Sequence, residues 1–415
     1  MQSVLFSCAG NQATSLFPPS SGGKRDVHTK DPLMGEQRRM ADLKARSQAA
    51  STDLRILHIA TDAYGGYGGV ALYNRDVIEA MCADPAVAKV VSVARVQSAP
   101  LQPLPDKLTY DTSGLGSISN YLKAVARQVH ANPDFDLVYC AHINLAPVAW
   151  AVAKLRRVPW ALCLYGIDAW PGNASARSRF FARRADLIIS LSQVTLDRFL
   201  TWCPVPLDRT VVMPNAIHLE EFGIGPKKPE LLARYGLEGK KVVMTFGRLD
   251  PIERYKGFDE IITLMPEMVS ERPELRYLIV GKGDDRARLE VKAAALGVAD
   301  KVIFTGPVDE AEKADIYRLA DVYAMPSKGE GFGFVVLEAM ACGVPAIGSN
   351  QDGTQEAVRG GLIGQVVDPD DLPAIKTAII KVIDAPKEIP AGLHFFAFAA
   401  FTQRLQAALH RLIGR

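Results

Sequence analysis

The chain has 415 residues, 23% of them charged and 48% hydrophobic, with 48 Lys/Arg against 46 Asp/Glu for a formal charge of +2. That length suits two ordinary domains, and the balance excludes a disordered chain, a collagen-like repeat, a disulfide scaffold and a nucleic-acid binder relying on bulk charge. Even the small surplus is local: residues 1–50 hold seven Lys/Arg against four Asp/Glu, so the remainder nets −1.

Residues 1–53 mix Ser, Gly, Pro, Gln and alternating charges, and read as a disordered extension with one short helical stretch at 38–50. Met34 and Met40 leave open a start downstream of Met1. The chain then alternates. An apolar run at 55–60 ends in the loop Gly65-Gly-Tyr-Gly-Gly69, followed by helical spacing over 70–81. Further strands are expected at 90–94, 137–140, 160–164, 187–191 and 210–213, with helices between most of them. This predicts a parallel sheet covered on both faces. A Pro/Gly-rich charged stretch over 221–240 reads as a linker ending in a short helix. The alternation restarts with strands at 241–246, 276–280, 302–305, 322–325 and 346–348 and helices at 259–269, 286–295, 312–319 and 334–342. Two domains are therefore expected, 54–220 and 241–392. A closing helix over 393–413 places Phe395, Phe396, Phe398, Phe401, Leu405, Leu409 and Leu412 on one side, a packing face or a membrane or partner face.

The six cysteines, Cys8, Cys82, Cys140, Cys163, Cys203 and Cys342, form no C-x-x-C pair and match neither a zinc site nor a disulfide framework. They read as reduced thiols of an intracellular protein. No apolar run reaches the ~20 residues that span a bilayer, and the N-terminus lacks a secretory pattern. A cytoplasmic location follows as the expectation.

Four segments carry chemistry, two of them strongly. In Pro326-Ser-Lys-Gly-Glu-Gly-Phe-Gly-Phe-Val-Val-Leu-Glu-Ala-Met-Ala-Cys-Gly-Val-Pro345 a strand passes through a glycine-rich loop into a helix. Free backbone N–H groups there suit a diphosphate, and Glu330 and Glu338 point to one cleft at different depths. In Gly247-Arg-Leu-Asp-Pro-Ile-Glu-Arg-Tyr-Lys-Gly257, an Arg fork and a Lys point charge suit two phosphates. The loop at 65–69 and Val280-Gly-Lys-Gly283 are weaker glycine signals at strand ends.

Together with Met213-Pro-Asn-Ala216 ahead of the linker, these motifs resemble family 4 retaining glycosyltransferases of the GT-B fold, from about residue 54 to the C-terminus and most strongly over 242–356. The resemblance implies two Rossmann-like domains facing a central cleft, with the C-terminal helix 393–414 returning to the first. It implies that Arg248 and Lys256 bind the donor diphosphate and stabilise the leaving nucleotide, and that Glu330 contacts donor-sugar hydroxyls. Gly331, Phe332, Gly333 and Phe334 would lie near sugar and phosphate, Glu338 would hold the ribose, and Gly281, Gly283 and Val308 would line the base pocket. Gly68 and Gly69 would approach the diphosphate on closure. No metal or other cofactor is implied. The donor would be a nucleotide sugar of the GDP-mannose or UDP-glucose type. The acceptor would be a glycan or polyprenyl-diphosphate-linked saccharide of surface polysaccharide synthesis.

One departure stands out. The family's histidine position after the strand at 160–164 is Tyr165 here, in Leu164-Tyr-Gly-Ile-Asp-Ala-Trp170. His142, Tyr165 and Asp168 are then the acceptor-side candidates. Arg177, Arg179, Arg183 and Arg184, interleaved with Phe180 and Phe181, read either as a solvated helix face or as a peripheral membrane contact. The competing readings are a sugar-nucleotide epimerase or phosphorylase of the same fold, and a non-catalytic sugar-nucleotide-binding protein.

Overall fold

Runs such as Leu-Ile-Ile-Ser at 187–190 are apolar on both faces, as strands require when helices cover both sides of a sheet. The computed structural model describes residues 53–414, and the expectations for the N-terminal extension lie outside the described residues. β1 (Leu54–Ile59), β2 (Val87–Val93), β3 (Leu108–Asp111), β4 (Leu137–Cys140), β5 (Trp160–Leu164), β6 (Leu187–Ser190) and β7 (Thr210–Val212) pair in the order 3-2-1-4-5-6-7. All neighbours are parallel. Their crossovers carry α1 (Gly69–Cys82), α2 (Ile118–Ala131), α3 (Ala146–Arg156), α4 (Ala176–Ala182) and α5 (Gln193–Trp202).

After α6 (Pro229–Tyr235) a second sheet follows. β8 (Lys241–Phe246), β9 (Leu275–Val280), β10 (Val302–Gly306), β11 (Val322–Ala324), β12 (Ala346–Ser349) and β13 (Gln365–Val367) pair in the order 10-9-8-11-12-13, again all parallel. Its helices are α7 (Phe258–Glu271), α8 (Arg286–Ala295), α9 (Lys313–Leu319), α10 (Phe334–Ala341), α11 (Thr354–Ala357) and α12 (Leu372–Val382). Both sheets are doubly wound. The strand order reverses between β1 and β4 and between β8 and β11, and such a reversal opens a crevice at the carboxyl ends of the strands.

Two strands escape the hydrophobic pattern, and both are sheet edges. β3 reads Leu-Thr-Tyr-Asp and buries only Leu108, while β13 reads Gln-Val-Val and buries only Val367. A strand paired on one side needs no continuous apolar run.

The expected helix over 393–413 is corrected. Residues Ala391–Phe396 form a 3₁₀ turn, and the α-helix, α13, spans Phe398–Ile413. Ala397 between them is extended because it pairs with Ile217: the Ile217 N–H donates to Phe396 O at 2.8 Å, and the Phe398 N–H to Ile217 O at 3.1 Å. Phe395 therefore leaves the helical stripe and is 43% exposed, while Phe401, Leu405 and Leu409 are buried. That stripe is a packing face, directed at α1. Gln406 Nε2 donates to Ala80 O at 2.9 Å, and the Tyr73 and Phe401 rings meet edge-on at 5.6 Å. No described helix is long and apolar enough to cross a membrane.

A charged pair ties the segment after β7 to this junction. His218 Nε2 lies 2.9 Å from Asp76 Oδ1 on α1, and its ring stacks on Phe398 at 4.5 Å. Burial disfavours the imidazolium, but the hydrogen bond and charge of Asp76, with Glu221 and Glu220 behind, raise the pKa to about 9. A folded pKa above the ordinary 6.5 gives stability that is fully present below 6.5 and lost as pH rises through about 9. We expect His218→Gln to remove about 1–2 kcal/mol at pH 6 and little at pH 10. Urea midpoints of both proteins across that range check it; a pH-independent difference would count against the pair.

Candidate active site

The loops at the carboxyl ends of β8 and β11, the strands flanking the second reversal, hold the charged residues of the cleft. β8 delivers Gly247 and Arg248. The chain turns through Asp250–Glu253 into a 3₁₀ turn at Arg254–Lys256, and Gly257 (φ +87°) starts α7. Arg248 is 65% exposed and Lys256 14%. Lys256 Nζ lies 3.4 Å from Glu330 Oε2 and 3.5 Å from Glu253 Oε2. Burial disfavours the Lys256 ammonium, yet Glu330 and Glu253 more than offset it, and the pKa is raised. The sequence motif thus becomes a cradle of two cations against two carboxylates.

Gly281 and Gly283 hold this cradle in place. A Cβ on Gly281 would sit 2.0 Å from Gly247 O, and one on Gly283 would sit 1.9 Å from Leu249 O. Both adopt positive φ, so these glycines let the β9 loop lie directly against the backbone on either side of Arg248. Val308 is half-buried against the core.

The loop after β11 is braced by a residue outside the sequence motifs. Asp352, fully buried, accepts from Ser327 Oγ at 2.5 Å, the Glu330 N–H at 2.8 Å and Thr354 Oγ1 at 2.6 Å. Burial pushes its pKa up to about 6. Gly353 donates its N–H to Glu330 O at 2.9 Å, and a Cβ there would fall 2.0 Å from Gly331 O. Phe332 turns into the core against Phe396, which leaves its backbone, not its ring, toward the cleft. Gly333, at φ +100°, is the residue before α10.

One turn into α10, Glu338 is 6% exposed and bonded at both oxygens: Lys313 Nζ donates to Oε1 at 2.6 Å and Tyr317 Oη to Oε2 at 2.7 Å, which leaves a carboxylate lone pair on each. Lys313 and Tyr317 are four residues apart on α9, hence on one face. The spacing gives them one face of the helix, but no motif ties either residue to Glu338 across 21 to 25 residues.

The first domain closes over this site. A Cβ on Gly69 would lie 3.6 Å from the Phe334 ring, so the 65–69 loop reaches the start of α10. A Cβ on Gly331 would sit 2.0 Å from Tyr165 O, and one on Gly166 would sit 2.8 Å from Gly331 Cα. Beside this contact the Glu356 carboxylate accepts the Gln193 and Val194 N–H groups at 2.7 and 2.9 Å, capping α5 across the cleft. We expect Gly331→Ala to hold the domains apart by about 1 Å and lower turnover about a hundredfold, since misplacement on that scale is enough. Steady-state rates beside a thermal melt check it; near-normal rates would show that closure tolerates the methyl.

The acceptor-side candidates meet around β5. The Tyr165 hydroxyl donates to Asn74 Oδ1 at 2.6 Å and its ring meets Tyr73 edge-on, so the phenol serves as a brace between α1 and the β5 loop. His142 packs its ring near Tyr165, and burial, with Arg95, lowers its pKa. Asp168 Oδ1 accepts the Gly166 N–H at 2.7 Å and the Tyr165 N–H at 3.2 Å, shaping the turn that meets Gly331. Burial raises its pKa to about 7. Arg177, Arg179, Arg183 and Arg184 are all exposed on and after α4, with Arg184 stacked over Phe180.

Comparison with known proteins agrees with this architecture. Residues 227–391 match the model for glycosyl transferases group 1, and residues 35–216 match a glycosyl transferase 4-like domain. A D-inositol 3-phosphate glycosyltransferase of Rhodococcus jostii is 36% identical over 342 residues, 78% of this chain and 74% of that protein. A GDP-mannose-dependent alpha-(1-6)-phosphatidylinositol monomannoside mannosyltransferase of Mycolicibacterium smegmatis is 34% identical over 215 residues, 50% of this chain and 55% of that protein. The chain spans about half the length of this and similar mycobacterial relatives. Among solved structures, Anabaena Alr3699/HepE in complex with UDP and glucose superposes with a TM-score of 0.68 at 21% identity, covering 86% of this chain and 99% of that one. Sucrose-phosphate synthase from Thermosynechococcus elongatus gives 0.70 at 21% identity, covering 87% and 99%. At that identity the likeness concerns the fold. The chain belongs to the group 1, family 4-type glycosyltransferases of the GT-B fold.

Proposed function

We propose that the protein is a retaining, metal-independent hexosyltransferase that moves a sugar from a nucleotide diphosphate donor to an acceptor hydroxyl. The observation that carries this reading is the convergence of Arg248, Lys256 and Glu330 at the ends of β8 and β11, opposite the 65–69 loop. In this reading the bond between the sugar's anomeric carbon and the diphosphate oxygen breaks, and its electron pair stays on the phosphate. Arg248 and Lys256 face the charge that grows there, and preorganised charge is most effective where it develops. The acceptor oxygen attacks from the same face, and its proton passes to the leaving phosphate. Glu330 accepts from sugar hydroxyls, Glu338 from the ribose, and the amides of the 331–334 loop face the phosphates.

GDP-mannose is the donor in one relative's name and inositol derivatives are the acceptors in several, which supports a mannosyl donor and an inositol-bearing acceptor. A glycan or lipid-linked saccharide of surface polysaccharide synthesis is the second acceptor reading, supported by the exposed arginines around Phe180 as a contact for the inner face of the plasma membrane. The test is nucleoside diphosphate release from GDP-mannose and UDP-glucose with each acceptor class, followed by mass spectrometry of the product. No release with any pairing would leave a sugar-nucleotide-binding protein. Release onto lipid-linked acceptor that survives changing all four arginines to serine would remove the membrane contact.

A further inference from the structure

Glu253 lies in the motif between Arg248 and Lys256 and has no part in the roles above. Its backbone is pinned on both sides: its N–H donates to Asp250 O at 2.8 Å, and the Lys256 N–H donates to its carbonyl at 3.2 Å. Its side chain is 15% exposed although it lies in a loop. Arg248 Nε donates to Oε2 at 3.2 Å and Arg248 Nη2 contacts Oε1, a two-pronged fork, while Lys256 Nζ stands 3.5 Å from Oε2. One carboxylate thus takes the guanidinium fork and touches the ammonium, the arrangement two such cations would offer a phosphate.

We propose that Glu253 is a positioning residue that competes with the donor's diphosphate for Arg248 and Lys256 and so favours release of the nucleoside diphosphate product. This rests on the reading of those two cations as the diphosphate site. The argument is electrostatic. Arg248 and Lys256 face Glu253 and Glu330, so two positive charges meet two negative ones before any ligand arrives. The carboxylate keeps both cations gathered and raises the pKa of each. Its repulsion of a bound ligand scales with the ligand's charge. A nucleotide sugar carries two diphosphate charges, and the free nucleoside diphosphate gains most of a third on its terminal phosphate near neutral pH. The product is therefore repelled more than the donor from which it formed, in a cradle with limited solvent screening.

The experiment is titration calorimetry of GDP and of UDP into wild type, Glu253→Gln and Glu253→Asp, with product inhibition and donor KM measured beside it. Glutamine keeps the shape and an acceptor oxygen while removing the charge. We expect it to bind the nucleoside diphosphate about tenfold tighter, as loss of one partly screened charge at close range implies. Donor KM should fall by a smaller factor, and kcat should drop as release slows. Aspartate, which keeps the charge, should stay within about threefold of wild type. Unchanged or weaker binding by Glu253→Gln, or tightening by Glu253→Asp to match it, would overturn the proposal in favour of a purely structural ion pair. Wild type that binds neither diphosphate would instead bring down the donor-site reading on which it rests.

Discussion

Lys256→Ala is expected to lower kcat by about 10²–10³-fold, the range seen when one preorganised donor to a developing oxyanion is removed. The side chain has little freedom to be replaced by a neighbour. It is 14% exposed, its Cδ would stand 3.4 Å from a Cβ on Gly247, and its ammonium sits between Glu253 and Glu330. Arg248, at 65% exposure and already forked onto Glu253, meets the cleft from the solvent side and cannot reach the same point without giving up that fork. On the proposed mechanism the loss should fall mainly on kcat, because the diphosphate charge assigned to Lys256 is greater in the transition state than in the bound donor. KM for the nucleotide sugar should rise by less than tenfold. Steady-state kinetics with a thermal melt measures both. A variant within tenfold of wild-type kcat would remove Lys256 from the chemistry and leave it as a structural counter-ion of the two glutamates.

The features legible in the sequence and those that were not differ in a physical way. Both central strand sets were readable because strands buried on two faces need continuous apolar runs, whereas the edges β3 and β13 need one buried residue each and left no such trace. The Arg248, Lys256, Glu330 and Glu338 set was readable because short motifs bracket it, on loops and a helix start whose glycines mark close backbone approach. What supports that set was not readable. Asp352 reaches Glu330 from 22 residues away, Glu356 caps α5 from 162 residues away, and Lys313 reaches Glu338 from 25 residues before it. Such contacts are made by the sheet order, which brings distant strand ends to one edge of the cleft, and a single polar residue at a strand end announces none of them. Tyr165 shows the reverse case. At a position where the family resemblance suggests acceptor chemistry, its phenol is spent on Asn74, and the cleft receives its backbone carbonyl instead, against Gly331.

Glu338→Ala should cost the fold about 3–5 kcal/mol, the loss typical when one partner of a buried ion pair is removed. Lys313 is the reason. Its side chain is 11% exposed, and burial alone would drive its pKa down; Glu338, then Glu310, offset that and hold it raised. Without Glu338 the ammonium keeps only Glu310, which is 78% exposed, and the Tyr317 hydroxyl loses its acceptor as well. Replacing both charges together removes the cause: Lys313→Met with Glu338→Leu should recover most of the lost stability, because a well-packed apolar pair is often as stable as the ion pair it replaces. Guanidinium unfolding midpoints of Lys313→Met, Glu338→Leu and the double variant complete the cycle, with Glu338→Ala measured beside them. A double variant as unstable as Glu338→Ala would show that the cost lies in the lost hydrogen bonds, that of Tyr317 included, and not in the stranded charge. Stability and donor binding should then separate. The double variant, though folded, still lacks the carboxylate assigned to the ribose, so its donor KM should stay raised by tenfold or more, as loss of a buried hydrogen-bonding partner implies. Recovery of KM along with stability would return Glu338 to the core and leave the ribose to some other residue of the cleft.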